Sequence, residues 1–223
     1  MLLEIPDVLD AAARLDLRAR IEAHTFSDGA GSAGRQARRV KHNLELAPAD
    51  AANLSRDALG PLIAHPQFQA AALPARMSTA TIARYDTGMA YGYHTDDPVM
   101  GPASNQQYRC DIAITVMLSE DDSFDGGELC VRTPFGEQRA VPRGGSAIVY
   151  PASSLHCVAP VTRGSRLVAV AWVQSMIASA EQRQLLFDMW RVRDTLTSAL
   201  PDAEVSSEAD RIYTNLVRMW AQF

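Results

Sequence analysis

Cysteine is scarce: Cys110, Cys130 and Cys157 are the whole complement of 223 residues. An odd, sparse set does not build a disulfide framework and fits a reducing compartment. No apolar run approaches the roughly 20 residues that a membrane span needs. The first residues, Met1-Leu-Leu-Glu-Ile-Pro6, lack the basic segment of a secretory leader. The expectation is a cytoplasmic protein with no membrane partner. Basic charge is also short, with 21 Lys and Arg against 26 Asp and Glu, a net −5. Nucleic-acid-binding domains are usually basic, so no nucleic-acid partner is expected. Internal repeats, low-complexity tracts and a nucleotide-binding glycine loop are missing too.

What is there fits one compact domain with ample chain for a core, since 47% of residues are hydrophobic. Residues 7–26 read as a helix, with Leu9, Ala12, Ala13, Leu17 and Ile21 near a 3.6-residue period and Asp7 as its cap. A Gly/Ser stretch follows, and then the one basic cluster, Arg35-Gln-Ala-Arg38-Arg39-Val-Lys41. It reads as a solvated loop leading into a strand, within reach of an acidic substrate. Residues 40–46 alternate, which puts Lys41 and Asn43 on one face of a strand. Residues 48–64 read as a helix with Pro48 in its first turn, and a shorter helical turn follows His65-Pro66. His24 and His65 have no metal-spaced partners and read as surface or capping residues.

From Met77 the pattern changes to short β-branched runs separated by Gly, Pro and Asp turns. Such spacing indicates a sandwich or barrel. The fold class expected is mainly β with flanking helices (α+β), around a double-stranded β-helix, the cupin-like jelly roll. Residues 100–107 read as a lid over its open end. Cys110 and Cys130 read as core. After Gln174 helices return, one capped by Ser179 with Leu185, Leu186, Met189 and Val192 apolar. The last carries Ile212, Leu216, Met219 and Trp220 on one face, a surface for core packing or a homo-oligomer. The division expected is a support region at 1–74, the jelly-roll core at 75–177 and a helical extension at 178–223.

The chemistry centres on Tyr85-Asp-Thr-Gly-Met-Ala-Tyr-Gly-Tyr-His94-Thr-Asp96. Residues i and i+2 of a strand share a face, so His94 and Asp96 can reach one metal ion. His156 is the candidate third ligand, and Cys157, beside it, points away. Two histidines and one carboxylate with open positions are the arrangement of non-haem Fe(II) oxygenases. Ten residues later stands Arg166. A hairpin turning near Val161 would set positions 156 and 166 opposite each other, with Cβ atoms roughly 5 Å apart. A guanidinium there suits a ligand carboxylate held in bidentate fashion. Tyr85 lies on the same expected strand system as the half-site. Its hydroxyl needs a polar partner, with Tyr91 and Tyr93 as competing choices.

These residues resemble the Fe(II)- and 2-oxoglutarate-dependent dioxygenases of the prolyl 4-hydroxylase type. More closely, Tyr-x-x-Gly-x-x-Tyr-Gly-x-His-x-Asp (85–96), Phe-x-Gly-Gly-Glu-Leu (124–129), Pro-x-Ser-Ser-Leu-His (151–156), Val-x-x-Gly-x-Arg (161–166) and Trp-x-Gln-Ser-Met-Ile (172–177) resemble the bacterial PKHD-type hydroxylases. The similarity runs nearly end to end, through Leu186-Phe-Asp and Asn215-Leu-x-Arg-Met-Trp220. His42 departs from the asparagine expected there, and Trp190 follows the Leu-Phe-Asp run.

The resemblance implies that His94, Asp96 and His156 bind Fe(II), and that Arg166, with Tyr85, binds the distal carboxylate of 2-oxoglutarate. It also implies oxidative decarboxylation with O2 to succinate and CO2, and hydroxylation of a C–H bond in a peptide, protein or small molecule. Ascorbate as a reductant and a role in bacterial iron homeostasis follow by the same resemblance. Lys41, Asn43 and Tyr93 are the candidate substrate contacts. Two rivals share the triad: a cupin-like metal enzyme without 2-oxoglutarate, and a non-catalytic iron or 2-oxoglutarate sensor. A DNA-repair demethylase would want a basic groove, which the sequence lacks.

Overall fold

Asp10, not Asp7, caps the first helix. Its carboxylate accepts from the Ala13 amide at 2.8 Å, while Asp7 sits in the left-handed region at φ 54°. The computed structural model describes residues 1–101 and 105–222. The expected 7–26 helix is shorter, because strands claim both of its flanks. β1 (Leu3–Ile5) precedes α1 (Ala11–Glu22), and β2 (Phe26–Asp28) follows it. Two 3₁₀ turns, Gly29–Ser32 and Ala37–Val40, then form a strap. The single strand expected over 40–46 is two, β3 (Lys41–His42) and β4 (Leu44–Leu46), which pair into different sheets. α2 (Pro48–Ala64) and α3 (Pro66–Ala72) match the sequence reading, and His65 caps α3 through its ring nitrogen.

Strands β5 (Pro74–Met77), β6 (Thr81–Asp86), β7 (Ala90–His94), β8 (Val99–Met100), β9 (Tyr108–Arg109), β10 (Ile112–Met117), β11 (Phe124–Gly126), β12 (Leu129–Thr133), β13 (Gly136–Ala140), β14 (Ala147–Pro151), β15 (His156–Val158) and β16 (Val161–Ser175) follow. One sheet runs β1-β14-β10-β16-β6-β4-β2, with β5 and β11 also on β16. The other runs β13-β12-β15-β7-β3. β8 and β9 pair only with each other; of the expected lid, residues 102–104 lie outside the described residues.

The apolar run of β10, broken only by Thr115, follows from burial on both of its faces. Ile112, Ile114 and Val116 pack outward with Leu17, Ile21, Leu54 and Leu62 of the N-terminal helices. Ala113 turns the other way, into the space between the sheets, with Leu129 of the opposite sheet. This is the two-sheet jelly roll, the smaller sheet closing over the inner face of the larger. α4 (Ala180–Ala199) and α5 (Glu204–Trp220) lie against each other, and α4 also lies against α3. Ser179 caps α4 as expected. The packed face of α5 is corrected: Tyr213, Leu216, Val217 and Trp220 contact the buried Leu73, Ile177 and Leu186, while Ile212 and Met219 are exposed. Leu185 and Val192 of α4 are exposed as well.

Candidate metal centre

His94 closes β7 and His156 opens β15, and the two are paired directly across the ladder. A bulge beside this pair turns both Tyr91 and His94 inward, and their rings stack at 3.6 Å. Asp96 lies two residues beyond, its amide donating to the Ala152 carbonyl at 3.3 Å. Nε2 of each histidine is 3.9 Å from Asp96 Oδ1, and the three ligand atoms lie within 4.8 Å of one another. A separation of 3.9 Å is less than the sum of two metal–ligand bonds of about 2.1 Å, so one ion can touch both atoms of each pair. Nδ1 of His94 faces the Gly92 carbonyl at 2.8 Å, and Nδ1 of His156 faces that of Ser154 at 2.9 Å. A carbonyl only accepts, so Nδ1 carries the proton and the Nε2 lone pair faces the centre of the triad. Burial, aided by His156, pushes His94 down to about 4 and keeps it neutral. Burial raises the Asp96 carboxyl, with the neighbouring His156 acting against that rise.

Arg166 reaches the same cavity by a route the sequence reading did not anticipate. The expected 156–166 hairpin is corrected: β15 belongs to the small sheet, while β16 pairs with β6 and β10 in the large one. Arg166 therefore faces His156 from across the jelly roll. Its ladder partner is Tyr85, which also sits on the large sheet rather than with His94. The reason is the length of β16, whose fifteen residues are claimed by the central position in the large sheet. Arg166 is 2% exposed. Its Nε has no hydrogen-bond partner, and it has no ion pair among the described residues. Burial lowers it from the ordinary arginine value. Gly127 makes room for it: a Cβ there, where φ is +67°, would stand 2.8 Å from Arg166 Cδ. Burial pushes Tyr85 up to about 12 and Tyr150 well above its ordinary value, so both phenols stay protonated donors.

The cavity, about 320 Å³, is lined from both sheets and from the strap. Lys41 on β3 and Asn43, between β3 and β4, both line it. The Lys41 ammonium bonds Glu45 and Ser32, and its side chain and that of Glu45 are 7% and 10% exposed. Tyr93 is corrected: the bulge turns it to the outer face of the small sheet, where its hydroxyl donates to Glu137 and Arg132 stacks on its ring at 4.0 Å. Arg35, Arg38 and Arg39 lie exposed on the strap.

Residues 80–174 match the 2OG-Fe(II) oxygenase superfamily. A PKHD-type hydroxylase of Thioalkalivibrio sulfidiphilus is 50% identical over 223 residues, covering 99% of each chain. The chain belongs to the PKHD-type hydroxylases. A second member, from Stenotrophomonas maltophilia, is 40% identical over the full length of both chains. As a PKHD-type hydroxylase, the protein is a 2-oxoglutarate-dependent dioxygenase. Two solved structures share its fold. A Pseudomonas putida prolyl-4-hydroxylase has a TM-score of 0.52 at 19% identity, covering 78% of this chain and 92% of that one. A prolyl hydroxylase from Trichoplax adhaerens, in complex with a hypoxia inducible factor peptide fragment, has a TM-score of 0.59 at 12% identity, covering 83% and 86%.

Sequence reasoning missed four residues that line the PKHD-type cavity: Glu45, Thr115, Tyr150 and Trp172. Strand alternation could have found Thr115, a polar residue inside the apolar β10 run. Glu45 stands two residues beyond Asn43 and follows the same alternation. For Tyr150 and Trp172 the only signal was an aromatic with a polar tip near the triad motifs.

Proposed function

We propose that His94, Asp96 and His156 hold Fe(II), and that Arg166 receives the distal carboxylate of 2-oxoglutarate, with Tyr85 and Tyr150 as phenolic donors beside it. The observation that carries the reading is a buried guanidinium without a carboxylate, facing three converging metal-ligand atoms across one cavity. A buried cation is costly unless paired, and the distal carboxylate of 2-oxoglutarate would supply the pair for Arg166. Bound iron would supply the activation of O2 that couples decarboxylation of the cosubstrate to C–H hydroxylation. The chain's own part is positional. The histidine Nδ1–H groups are anchored on backbone carbonyls, and His94 stays neutral.

The substrate enters, on this reading, on the side of the strap, where Lys41 and Asn43 contact it. A peptidyl side chain or a molecule of similar size fits the remaining space. Residues 75–177 then form the dioxygenase core, with 1–74 as support and 178–223 as extension. Ascorbate as reductant of stray Fe(III), a cytoplasmic location, and a homo-oligomer through α4 and α5 complete the proposal; no described helix is long and apolar enough to cross a membrane.

The test is an anaerobic titration of apo-protein with Fe(II) and then 2-oxoglutarate, followed by visible absorption. A charge-transfer band requiring both ligands is expected. In Arg166→Ala it should need far more 2-oxoglutarate at unchanged iron affinity. Stoichiometric iron binding with no band, or a band indifferent to Arg166→Ala, would overturn the assignment.

A further inference from the structure

Trp172 lines the cavity with an indole that the reading above leaves without a role. The residue is firmly seated. Its amide donates to Ser78 Oγ at 3.0 Å and its carbonyl accepts from the Ser78 amide at 2.9 Å. Its ring packs on the buried cluster that includes Ala113, Leu129 and Tyr150. Nε1 is buried with no hydrogen bond. An indole N–H can only donate, and when buried it normally finds a partner.

Among the triad residues, one atom has the complementary defect. Each histidine has a backbone carbonyl on Nδ1. Asp96 directs Oδ1 at both Nε2 atoms, while Oδ2 is buried with no partner. Of the two cations lining the cavity, Lys41 is held by Glu45 and Ser32, and Arg166 is the one assigned above to the cosubstrate. Trp172 and Asp96 line the same cavity, and each brings to it one buried polar atom without a partner, a donor on the indole and an acceptor on the carboxylate. Partners outside the ligands orient them and tune metal affinity.

We propose that Trp172 is a positioning residue for Asp96. On metal loading its indole N–H donates to Oδ2, which keeps Oδ1 turned to the ion and the carboxylate monodentate. The inference rests on the triad being the metal site.

The test compares wild type, Trp172→Phe and a protein with β-(3-benzothienyl)alanine at position 172, an isostere that lacks only the N–H. Mn(II) affinity of the apo-proteins is measured by calorimetry, and Co(II) absorption reports coordination geometry. Both replacements should bind Mn(II) about 10- to 100-fold more weakly with a changed Co(II) spectrum, while the isostere keeps the thermal midpoint of the wild-type apo-protein. Wild-type affinity and spectrum in the isostere would overturn the proposal and leave the triad intact. A wild type that binds no Mn(II) or Co(II) at one equivalent would instead overturn the triad, and the proposal with it.

Discussion

Gly127 shows how closely the cosubstrate pocket depends on a single missing methyl group. Its φ of +67° is the left-handed region, and the space beyond its Cα is already occupied by Arg166. Gly127→Ala would cost about 1–2 kcal/mol in backbone strain alone and would displace the guanidinium. Loss of one well-aligned charge-assisted hydrogen bond, about 1.5–3 kcal/mol, predicts 2-oxoglutarate binding weaker by about one to two orders of magnitude. Calorimetry on the metal-loaded protein checks this, and unchanged affinity would mean that Arg166 does not hold the cosubstrate. A second residue-level outcome concerns His94. Burial holds it down to about 4, so its imidazole in the apo-protein should show no NMR titration as pH falls from 8 to about 5. An assigned His94 resonance that titrates near the ordinary value of about 6.5 would contradict the geometry. The sign for stability follows from linkage. Between about 6.5 and about 4 the unfolded chain takes up a proton that the folded one refuses, so His94 makes the apo-protein less stable as pH falls through that window.

The strap between β2 and β3 walls one side of the site between the sheets. Two of its close approaches depend on glycines, Gly92 and Gly34. A Cβ at Gly92 on β7 would stand 2.8 Å from Val40 Cβ, and one at Gly34 would stand 2.5 Å from Asp97 Oδ1. Gly92→Ala should lift the end of the strap while leaving the two sheets paired. Arg35, Arg38 and Arg39 make the change measurable, because trypsin would cut there faster in the variant, with little change in the thermal midpoint of the apo-protein. Equal cleavage rates would show that Val40 moves aside without disturbing the strap. This element also marks the limit of what local pattern conveys. The helices over 48–64 and after Ser179 were legible because caps, Pro48 and a 3.6-residue period agree. His94, Asp96, His156 and Arg166 were legible because metal and carboxylate chemistry demands those residue types. The partner strands were not. Nothing in residues 155–173 reveals that β15 and β16 leave their turn for different sheets, since strand pairing is a non-local choice made by the whole core. Tyr93 was misread for a related reason: a one-residue bulge reverses the face of every residue on one side of it.

Across the molecule, the six tyrosines report on whether both sheets and the C-terminal helices fold as a unit. They stand on β6, β7, β9, β14 and α5, and every one of them is raised above the ordinary phenol value. Burial is the leading cause for all but Tyr93, whose hydrogen bond to Glu137 comes first. Tyr85 and Tyr93 are pushed up to about 12. A folded value raised above the unfolded one means that the stabilisation is fully present below about pH 10 and is lost as pH rises through the folded value. Spectrophotometric titration should therefore show less phenolate near pH 10 in the native protein than in denaturant. The six should then appear together as the far-ultraviolet circular dichroism collapses at higher pH. In denaturant, where burial is gone, all six should titrate near the ordinary value of about 10. Phenolate appearing near pH 10 before the dichroism changes would show that some tyrosine environments open independently. Tyr213 on α5 would then be the first to assign, because its loss alone would mean that the helical extension detaches while the jelly roll and its metal triad stay folded.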